Sequence, residues 1–173
     1  KIMEKKMKVV IIAGGYGTRI SEETITKPKP MVEIGNEPIL IHILKYFSSF
    51  GFNDFVIALG FKGDYIKSYM YDYMNLDNDL TLNFKSKTIK ELKKQNKNWN
   101  VTLIDTGQKT NTGGRLKRLE KFLKKETFLF TYGDGVSDVD LNKLISTHKR
   151  LKTLVTLTAV KAPPRFGNLK IYN

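Results

Sequence analysis

A buried strand that ends in a glycine-rich turn constrains this 173-residue chain more than any other feature. Residues Val9–Ala13 are apolar and mostly β-branched, which predicts a strand covered on both faces, as in a parallel sheet. Gly14, Gly15 and Gly17 follow within four positions. Glycine lets main-chain N–H groups approach a ligand closely, and successive N–H groups form an anion-binding concavity. The stretch ends in Arg19, whose guanidinium suits phosphate oxygens, so it predicts a phosphate-binding loop.

This loop differs from two common phosphate-binding motifs. The dinucleotide-binding fingerprint requires a third glycine three positions after its second, where this chain has Ile20. The P-loop requires Gly-Lys-Ser/Thr, whereas here Gly17 is followed by Thr18 and Arg19. For the glycines taken alone, an ordinary strand-to-loop turn stays the alternative.

A second basic segment, Thr26–Glu33, follows the glycine turn. The residue before a proline avoids the helical region, so Pro28 and Pro30 predict an extended backbone at Lys27 and Lys29. An ammonium group on a stiff segment loses less conformational freedom on binding than one on a flexible loop. The segment therefore predicts a second anion-binding group, with a solvated lysine pair in a linker as the alternative.

A strongly basic composition bears on the kind of partner. The chain carries 30 Lys and Arg against 17 Asp and Glu, a formal net charge of +13. Within 115–125 the positive charges alternate with apolar residues at helical spacing, which predicts an amphipathic helix with a basic outer face. No zinc-finger, helix-turn-helix or RNP signature accompanies the charge, so we expect an anionic substrate and no nucleic acid. A basic nucleic-acid binder is the alternative that the charge alone supports.

The sequence lacks two features that would indicate a secreted or membrane protein. The sequence has no cysteine, and no apolar run approaches the roughly 20 residues of a membrane-spanning helix. Residues 1–6 precede Met7 and are mostly charged, so we expect an N-terminal extension rather than a signal peptide. These features predict a cytoplasmic protein with no membrane partner.

Apolar runs of strand length alternate with segments of helical periodicity along the chain. The predicted strands are 9–13, 54–59, 101–105, 127–132 and 153–160; the predicted helices are 38–50, 63–74, 113–124 (with Thr112 as N-cap) and 138–151. Between them, 75–98 is polar and predicts a short hairpin or a mobile insertion. Alternating strands and helices imply an α/β, Rossmann-like fold with a mostly parallel central sheet and helices on both faces.

Two polar segments follow predicted strands, at the sheet edge where such folds bind ligands. Asp134 stands between Gly133 and Gly135, and one carboxylate together with substrate phosphates is a usual way to hold Mg²⁺. Asp-Gly is also a frequent turn pair, which is the alternative. The polar loop 105–115 opens a helix, whose first N–H groups could receive an anion or a base edge. A plain capped helix start is the alternative there.

Taken together, four segments resemble the sugar-phosphate nucleotidyltransferases, and among them the glucose-1-phosphate cytidylyltransferases. They are Gly-Gly-x-Gly-Thr-Arg at 14–19, Lys-Pro-Lys-Pro-Met-Val-Glu at 27–33, Thr-Gly-Gly-Arg-Leu-Lys-Arg at 112–118 and Phe-Thr-Tyr-Gly-Asp-Gly-Val at 130–136. The resemblance implies that CTP and α-D-glucose 1-phosphate give CDP-glucose and pyrophosphate with Mg²⁺. It also implies a homo-oligomer, as large as a hexamer, in bacterial dideoxysugar and surface polysaccharide synthesis.

The resemblance also implies roles for single residues. The nucleotide-binding positions would be Ile12, Ala13, Gly14, Gly15, Tyr16, Gly17, Thr18, Arg19, Lys29, Thr110, Arg115 and Gly133. The catalytic positions would be Arg19, Lys29 and Asp134, and Asp134 would also bind the metal. The sugar would lie near Arg165, Phe166 and Gly167.

Departures from the family pattern qualify these expectations. Members of the family continue well beyond position 173, so we expect a nucleotidyltransferase domain at 7–173 that is truncated at its C-terminal end and weakly active or inactive by itself. Asn111 stands where the family usually has methionine in the base-recognition loop. A uridylyl- or thymidylyltransferase acting on a hexose 1-phosphate stays an alternative, and so does a catalytically silent nucleotide-binding module.

Overall fold

The computed structural model describes residues 7–15, 26–76, 79–91, 97–123 and 126–160. The chain divides into two compact units after Val136, and each is considered by itself. The strands are β1 (Val9–Ala13), β2 (Glu33–Ile34), β3 (Glu37–Pro38), β4 (Asp54–Leu59), β5 (Leu80–Asn83), β6 (Thr88–Glu91), β7 (Asn100–Asp105) and β8 (Leu129–Tyr132). The helices are α1 (Ile39–Ser49), α2 (Gly63–Leu76), α3 (Thr112–Arg118), α4 (Glu120–Leu123) and α5 (Leu141–Leu151), and a 3-10 helix spans Lys29–Met31.

The first unit is built on a parallel sheet with the strand order β7-β4-β1-β8. Ala13 of β1 is in register with Leu59 of β4, and Leu59 is in register with Asp105 of β7. On the other side of β1, Ile12 is in register with Tyr132. The carboxyl ends of all four strands therefore meet at one edge of the sheet.

The strand order reverses next to β1. The chain passes from β1 to β4 and β7 on one side, and then places β8 on the other side of β1. In open α/β sheets, ligands bind outside the carboxyl ends of the strands where the order reverses. The fold therefore predicts a ligand-binding site beside the residues that follow β1 and β8.

Both faces of the sheet are buried at its centre. On one face Val10, Ile12, Val56 and Ala58 pack with Leu119 and Leu123, which lie just beyond α3 and in α4. The side chains that alternate with these along β1 and β4 lie on the other face and are also buried: Val9, Ile11, Ala13, Phe55, Ile57 and Leu59. Burial on both faces explains why β1 and β4 are continuous runs of apolar residues and do not alternate with polar ones. The predicted α/β fold with a parallel central sheet is confirmed.

A short antiparallel hairpin, β5 with β6, occupies part of the polar insertion, as predicted. Its apolar side chains at Leu82, Phe84 and Ile89 are exposed. Within the described ranges, no helix is long and apolar enough to cross a bilayer.

The helix predicted at 113–124 differs in two ways. It begins at Thr112 with Asn111 in the N-cap position, so Thr112 as N-cap is wrong, since the Arg115 N–H already donates to the Asn111 oxygen at 2.9 Å. The helix also breaks at Leu119, whose N–H donates to the Leu116 oxygen three residues back. This tighter turn accompanies complete burial of Leu119 in the core.

The second unit begins at Ser137 and contains α5. The Asp140 side chain caps α5 by accepting from the N–H groups of Asn142 at 2.9 Å and Lys143 at 3.1 Å. The strand predicted at 153–160 is wrong, because this segment forms no strand and exposes its apolar side chains. A composition typical of strands does not by itself produce a strand, because the main chain must also form hydrogen bonds with a neighbouring strand.

Candidate active site

A pocket of about 400 Å³ lies where the strand order reverses, at the carboxyl ends of β1 and β8. Three segments supply most of its wall: the end of β1, the start of the 3-10 helix and the loop between β7 and α3. Its lining residues are Ile12, Ala13, Gly14, Gly15, Lys29, Pro30, Gln108, Lys109, Thr110, Asn111, Thr112, Arg115, Tyr132 and Asp134.

Lys29 begins the 3-10 helix and is anchored by its neighbours. The Met31 N–H donates to the Pro28 oxygen at 2.8 Å, and both Pro30 and Met31 are buried. The extended backbone predicted at Lys29 is therefore wrong. Pro30 lies in the first turn, where its fixed φ suits a helix and its missing N–H is not needed. The result is still a lysine held on a stiff segment at the pocket wall.

Asp134 follows β8 and lies beside Lys29, with 3.8 Å between the Lys29 Nζ and the Asp134 Oδ2. Gly133, directly before Asp134, packs closely against the segment that carries Lys29, because a Cβ at this position would lie only 3.0 Å from the Pro30 Cγ. The Gly133 N–H also donates to the Ile12 oxygen at 2.9 Å. The Lys29 and Asp134 side chains are 19% and 45% exposed. An ammonium and a carboxylate therefore stand together within reach of a ligand.

Arg115 is a buried cation of the pocket wall, with 3% of its surface exposed. Its guanidinium donates to five oxygens, which are the main-chain oxygens of Gly14 (2.7 Å), Leu59 (2.9 Å), Gly107 (2.9 Å) and Gln108 (3.1 Å) and the Thr106 Oγ1 (2.8 Å). These acceptors follow or end β1, β4 and β7. One side chain therefore ties together the three segments that follow those strands.

Two glycines leave the space that the Arg115 guanidinium occupies. A Cβ added at Gly14 or at Gly60 would collide with its Cζ and Nη1 atoms. Gly15 differs, since a Cβ there would meet nothing within 4 Å. Packing therefore requires a glycine at position 14 and leaves position 15 free for a side chain.

We expect Gly14→Ala to destabilise the protein by about 3 kcal/mol, because overpacking of a buried site typically costs 1–3 kcal/mol and hydrogen bonds of Arg115 would also be displaced. Gly15→Ala is the matched control and should change the free energy of unfolding by less than about 0.5 kcal/mol. Equilibrium denaturation in urea measures both. Equal losses in the two variants would contradict the packing argument.

The loop between β7 and α3 forms the third wall. Thr106 is buried and donates through Oγ1 to the Leu59 oxygen at 2.6 Å. Gly107 adopts a φ of +83°, which favours glycine, and its N–H donates to the Asp105 Oδ1 at 2.8 Å. Thr110 follows on the pocket wall. This wall is preorganised by bonds within the protein.

The structure brings most of the described site residues together. Those that line the pocket are Ile12, Ala13, Gly14, Gly15, Lys29, Thr110, Arg115 and Asp134, with Gly133 packed behind them. The predictions for Tyr16, Gly17, Thr18, Arg19, Arg165, Phe166 and Gly167 lie outside the described residues.

Sequence reasoning missed several lining residues: Pro30, Gln108, Lys109 and Tyr132. Each adjoins or lies within a segment that the motifs singled out, so proximity in the chain was the available signal. Tyr132 could have been predicted to line the pocket, because it is the last residue of the strand that leads into Gly133 and Asp134.

The donor set can be tested for a metal. The described residues contain no group of three or more His, Cys, Asp or Glu side chains that could hold an ion by themselves. Asp134 supplies one half-exposed carboxylate on the pocket wall. Mg²⁺ commonly takes one or two carboxylates together with substrate phosphates and water, so this donor set fits Mg²⁺ arriving with a nucleotide.

Fold and site together define a class: an α/β protein with a ligand crevice where the strand order reverses, equipped with a glycine turn, a lysine and an aspartate. The chain matches the family described as nucleotidyl transferase over residues 8–173. It belongs to that family.

Two curated relatives and one solved structure are similar to this chain. Glucose-1-phosphate cytidylyltransferase of Salmonella typhimurium is 52% identical over 166 residues, which cover 95% of this chain and 65% of that protein. The probable glucose-1-phosphate cytidylyltransferase of Bacillus subtilis is 41% identical over 165 residues, with the same shares. The crystal structure of HddC from Yersinia pseudotuberculosis complexed with GMP-PN has a TM-score of 0.61 and 26% identity, over 82% of this chain and 54% of that one. The chain thus spans about two thirds of the length of these two curated relatives.

Proposed function

We propose that this chain is the nucleotide-binding part of a glucose-1-phosphate cytidylyltransferase, which makes CDP-glucose and pyrophosphate from CTP and α-D-glucose 1-phosphate. The names of the relatives at 52% and 41% identity support the substrates. The observation that carries the proposal is the pairing of Lys29 with Asp134 on the wall of a pocket that also contains the glycine turn.

The proposed reaction is a displacement at phosphorus. A phosphate oxygen of glucose 1-phosphate forms a bond to the α-phosphorus of CTP, and the bond from that phosphorus to the bridging oxygen of the β-phosphate breaks. Pyrophosphate leaves with the electron pair. Such a step needs alignment of the reactants and neutralisation of negative charge more than it needs a proton acceptor.

The chain's own residues supply parts of both requirements. We assign Gly14 and Gly15 to the close approach of the nucleotide, and Lys29 to the negative charge of the α-phosphoryl group. Arg115 holds the surrounding segments in place through its five hydrogen bonds, and its direct contact with the nucleotide stays a prediction. The fixed wall limits the rearrangement needed when charge develops.

We assign Asp134 as the protein ligand of Mg²⁺. When bound, the ion would neutralise phosphate charge and help to orient the triphosphate. The Lys29 Nζ lies 3.8 Å from the Asp134 Oδ2, so the ammonium group would face the same phosphates as the ion. The carboxylate therefore serves a metal that arrives with the nucleotide.

Three further features belong to the proposal. Nucleoside triphosphates are available in the cytoplasm, so we place the protein there, in synthesis of dideoxysugars for bacterial surface polysaccharides. We also propose a homo-oligomer, which the exposed apolar side chains of the hairpin at Leu82, Phe84 and Ile89 support.

The decisive experiment is pyrophosphate release by the full-length protein with glucose 1-phosphate and each of CTP, UTP, dTTP, ATP and GTP. We expect kcat/KM for CTP to exceed the others by about 10²-fold, since sites that hydrogen-bond a base discriminate strongly. The protein without glucose 1-phosphate is the blank.

Other outcomes would replace the proposal. Preference for UTP or dTTP would indicate a uridylyl- or thymidylyltransferase. Nucleotide binding without pyrophosphate release would indicate a silent nucleotide-binding module. Binding to random DNA at physiological salt, unaffected by nucleotides, would indicate a nucleic-acid binder.

A further inference from the structure

We propose that Arg118 is a positioning residue that fixes the Thr110 hydroxyl as a hydrogen-bond donor toward the bound nucleotide. Arg118 does not line the pocket, whereas Thr110 does. The inference rests on the proposed function, since it assigns a role to the nucleotide pocket described above.

The contact between these two residues is direct. The Arg118 Nη1 donates to the Thr110 Oγ1 at 2.8 Å and also donates to the main-chain oxygen of Thr106. Arg118 therefore bridges the first and last parts of the loop between β7 and α3. It acts from behind the wall that faces the ligand.

The loop is shaped around this contact. Gly107 has a φ of +83°, and a Cβ there would lie 2.6 Å from the Arg118 Nη1 and 3.0 Å from the Thr110 Oγ1. On its other side, the Thr110 Cγ2 would lie 2.9 Å from a Cβ at Gly114. Two glycines therefore accommodate one orientation of the Thr110 side chain.

The chemistry of the two groups sets the direction of the hydrogen bond. A guanidinium has only donors, whereas a hydroxyl has one proton and two lone pairs. Thr110 must accept from Arg118, so its own proton stays available for another acceptor. Within the described part of the chain, the Thr110 hydroxyl makes no second hydrogen bond. It therefore presents a donor suited to an acceptor atom of the nucleotide, such as a pyrimidine carbonyl oxygen.

The same arrangement occurs deeper in the wall. The Thr106 Oγ1 accepts from the Arg115 Nη1 at 2.8 Å and donates to the Leu59 oxygen at 2.6 Å. There the threonine proton is used within the protein. At Thr110 the corresponding proton is left for a ligand.

The test is a double-mutant cycle in the full-length protein with CTP as the probe. Isothermal titration of CTP in the presence of Mg²⁺, without glucose 1-phosphate, gives Kd for the wild type, Arg118→Met, Thr110→Val and the double variant. We expect each single change to raise Kd about fivefold, the scale of one hydrogen bond, and the double change to raise it no further. In turnover, KM for CTP should rise while kcat stays within about twofold.

Lys117→Met is the matched control. It removes a positive charge from the same helix at a side chain that is 76% exposed, and it should leave Kd for CTP unchanged. Arg118→Gln replaces Arg118→Met in the cycle if the methionine variant does not fold.

Three results would overturn the inference. Losses that add in the double variant would mean that the two residues act independently. A fall in kcat with unchanged KM would mean that Arg118 acts elsewhere. A wild type that binds no CTP would refute the proposed function itself, which distinguishes that failure from the other two.

Discussion

Arg115→Met is expected to lower the free energy of unfolding by about 4 kcal/mol, because the hydrogen bonds of one buried, charged donor are lost together. Methionine fills much of the same volume but donates no hydrogen bond. The main-chain oxygens of Gly107 and Gln108 would lose this donor in partly buried places. Those of Gly14 and Leu59 would each lose one hydrogen bond but keep the Phe61 N–H and the Thr106 donors, respectively. A hydrogen bond to a charged group is worth about 1.5–3 kcal/mol, so the loss of several together accounts for the expected change.

Equilibrium denaturation of the full-length protein in urea measures this change. Lys117→Met, on the same helix and mostly exposed, is the matched control and should cost less than about 0.5 kcal/mol. The loss from Gly14→Ala should also shrink in the Arg115→Met background, since the colliding guanidinium is gone. Equal stability of the Arg115 and Lys117 variants would show that the buried network does not hold the segments together.

Asp134→Asn is expected to lower kcat/KM for pyrophosphate release by about 10³-fold, equivalent to about 4 kcal/mol of transition-state stabilisation. The substitution keeps the size of the side chain but removes the charge that faces Lys29 and that we propose holds Mg²⁺. Because Asp134 is 45% exposed, the free energy of unfolding should change by less than about 1 kcal/mol.

The measurement is the initial rate with CTP and glucose 1-phosphate over a range of Mg²⁺ concentrations. Asp64→Asn removes the same charge from a side chain that is 96% exposed on α2, and it should keep the wild-type rate. A near-normal rate for Asp134→Asn, with unchanged dependence on Mg²⁺, would show that Asp134 is not the proposed Mg²⁺ ligand.

Local sequence was sufficient for much of the fold. The strands at Val9–Ala13 and Asp54–Leu59 have the predicted bounds, because a run of apolar, often β-branched residues buried on both sides leaves few alternatives. The sequence motifs also singled out Lys29 and Asp134, and both line the pocket, although the extended backbone predicted at Lys29 was wrong. Local sequence failed at 153–160, where the composition favours a strand but no strand forms.

Arg115 shows most clearly what the sequence left undecided. Its helical pattern predicts a basic outer face, and Lys117 conforms to it, yet Arg115 is almost completely buried. Its position depends on the space left at Gly14 and Gly60 and on oxygens that follow three strands, far away along the chain.

The sequence by itself determined the α/β class, the principal strands and helices, and the glycine, lysine and aspartate motifs, because periodicity and backbone preference act over a few residues. Only the tertiary structure decided the strand order, the pocket beside β1 and the direction in which each charged side chain points. Those features depend on packing and hydrogen bonds between segments that are distant in the chain, and local patterns do not record them.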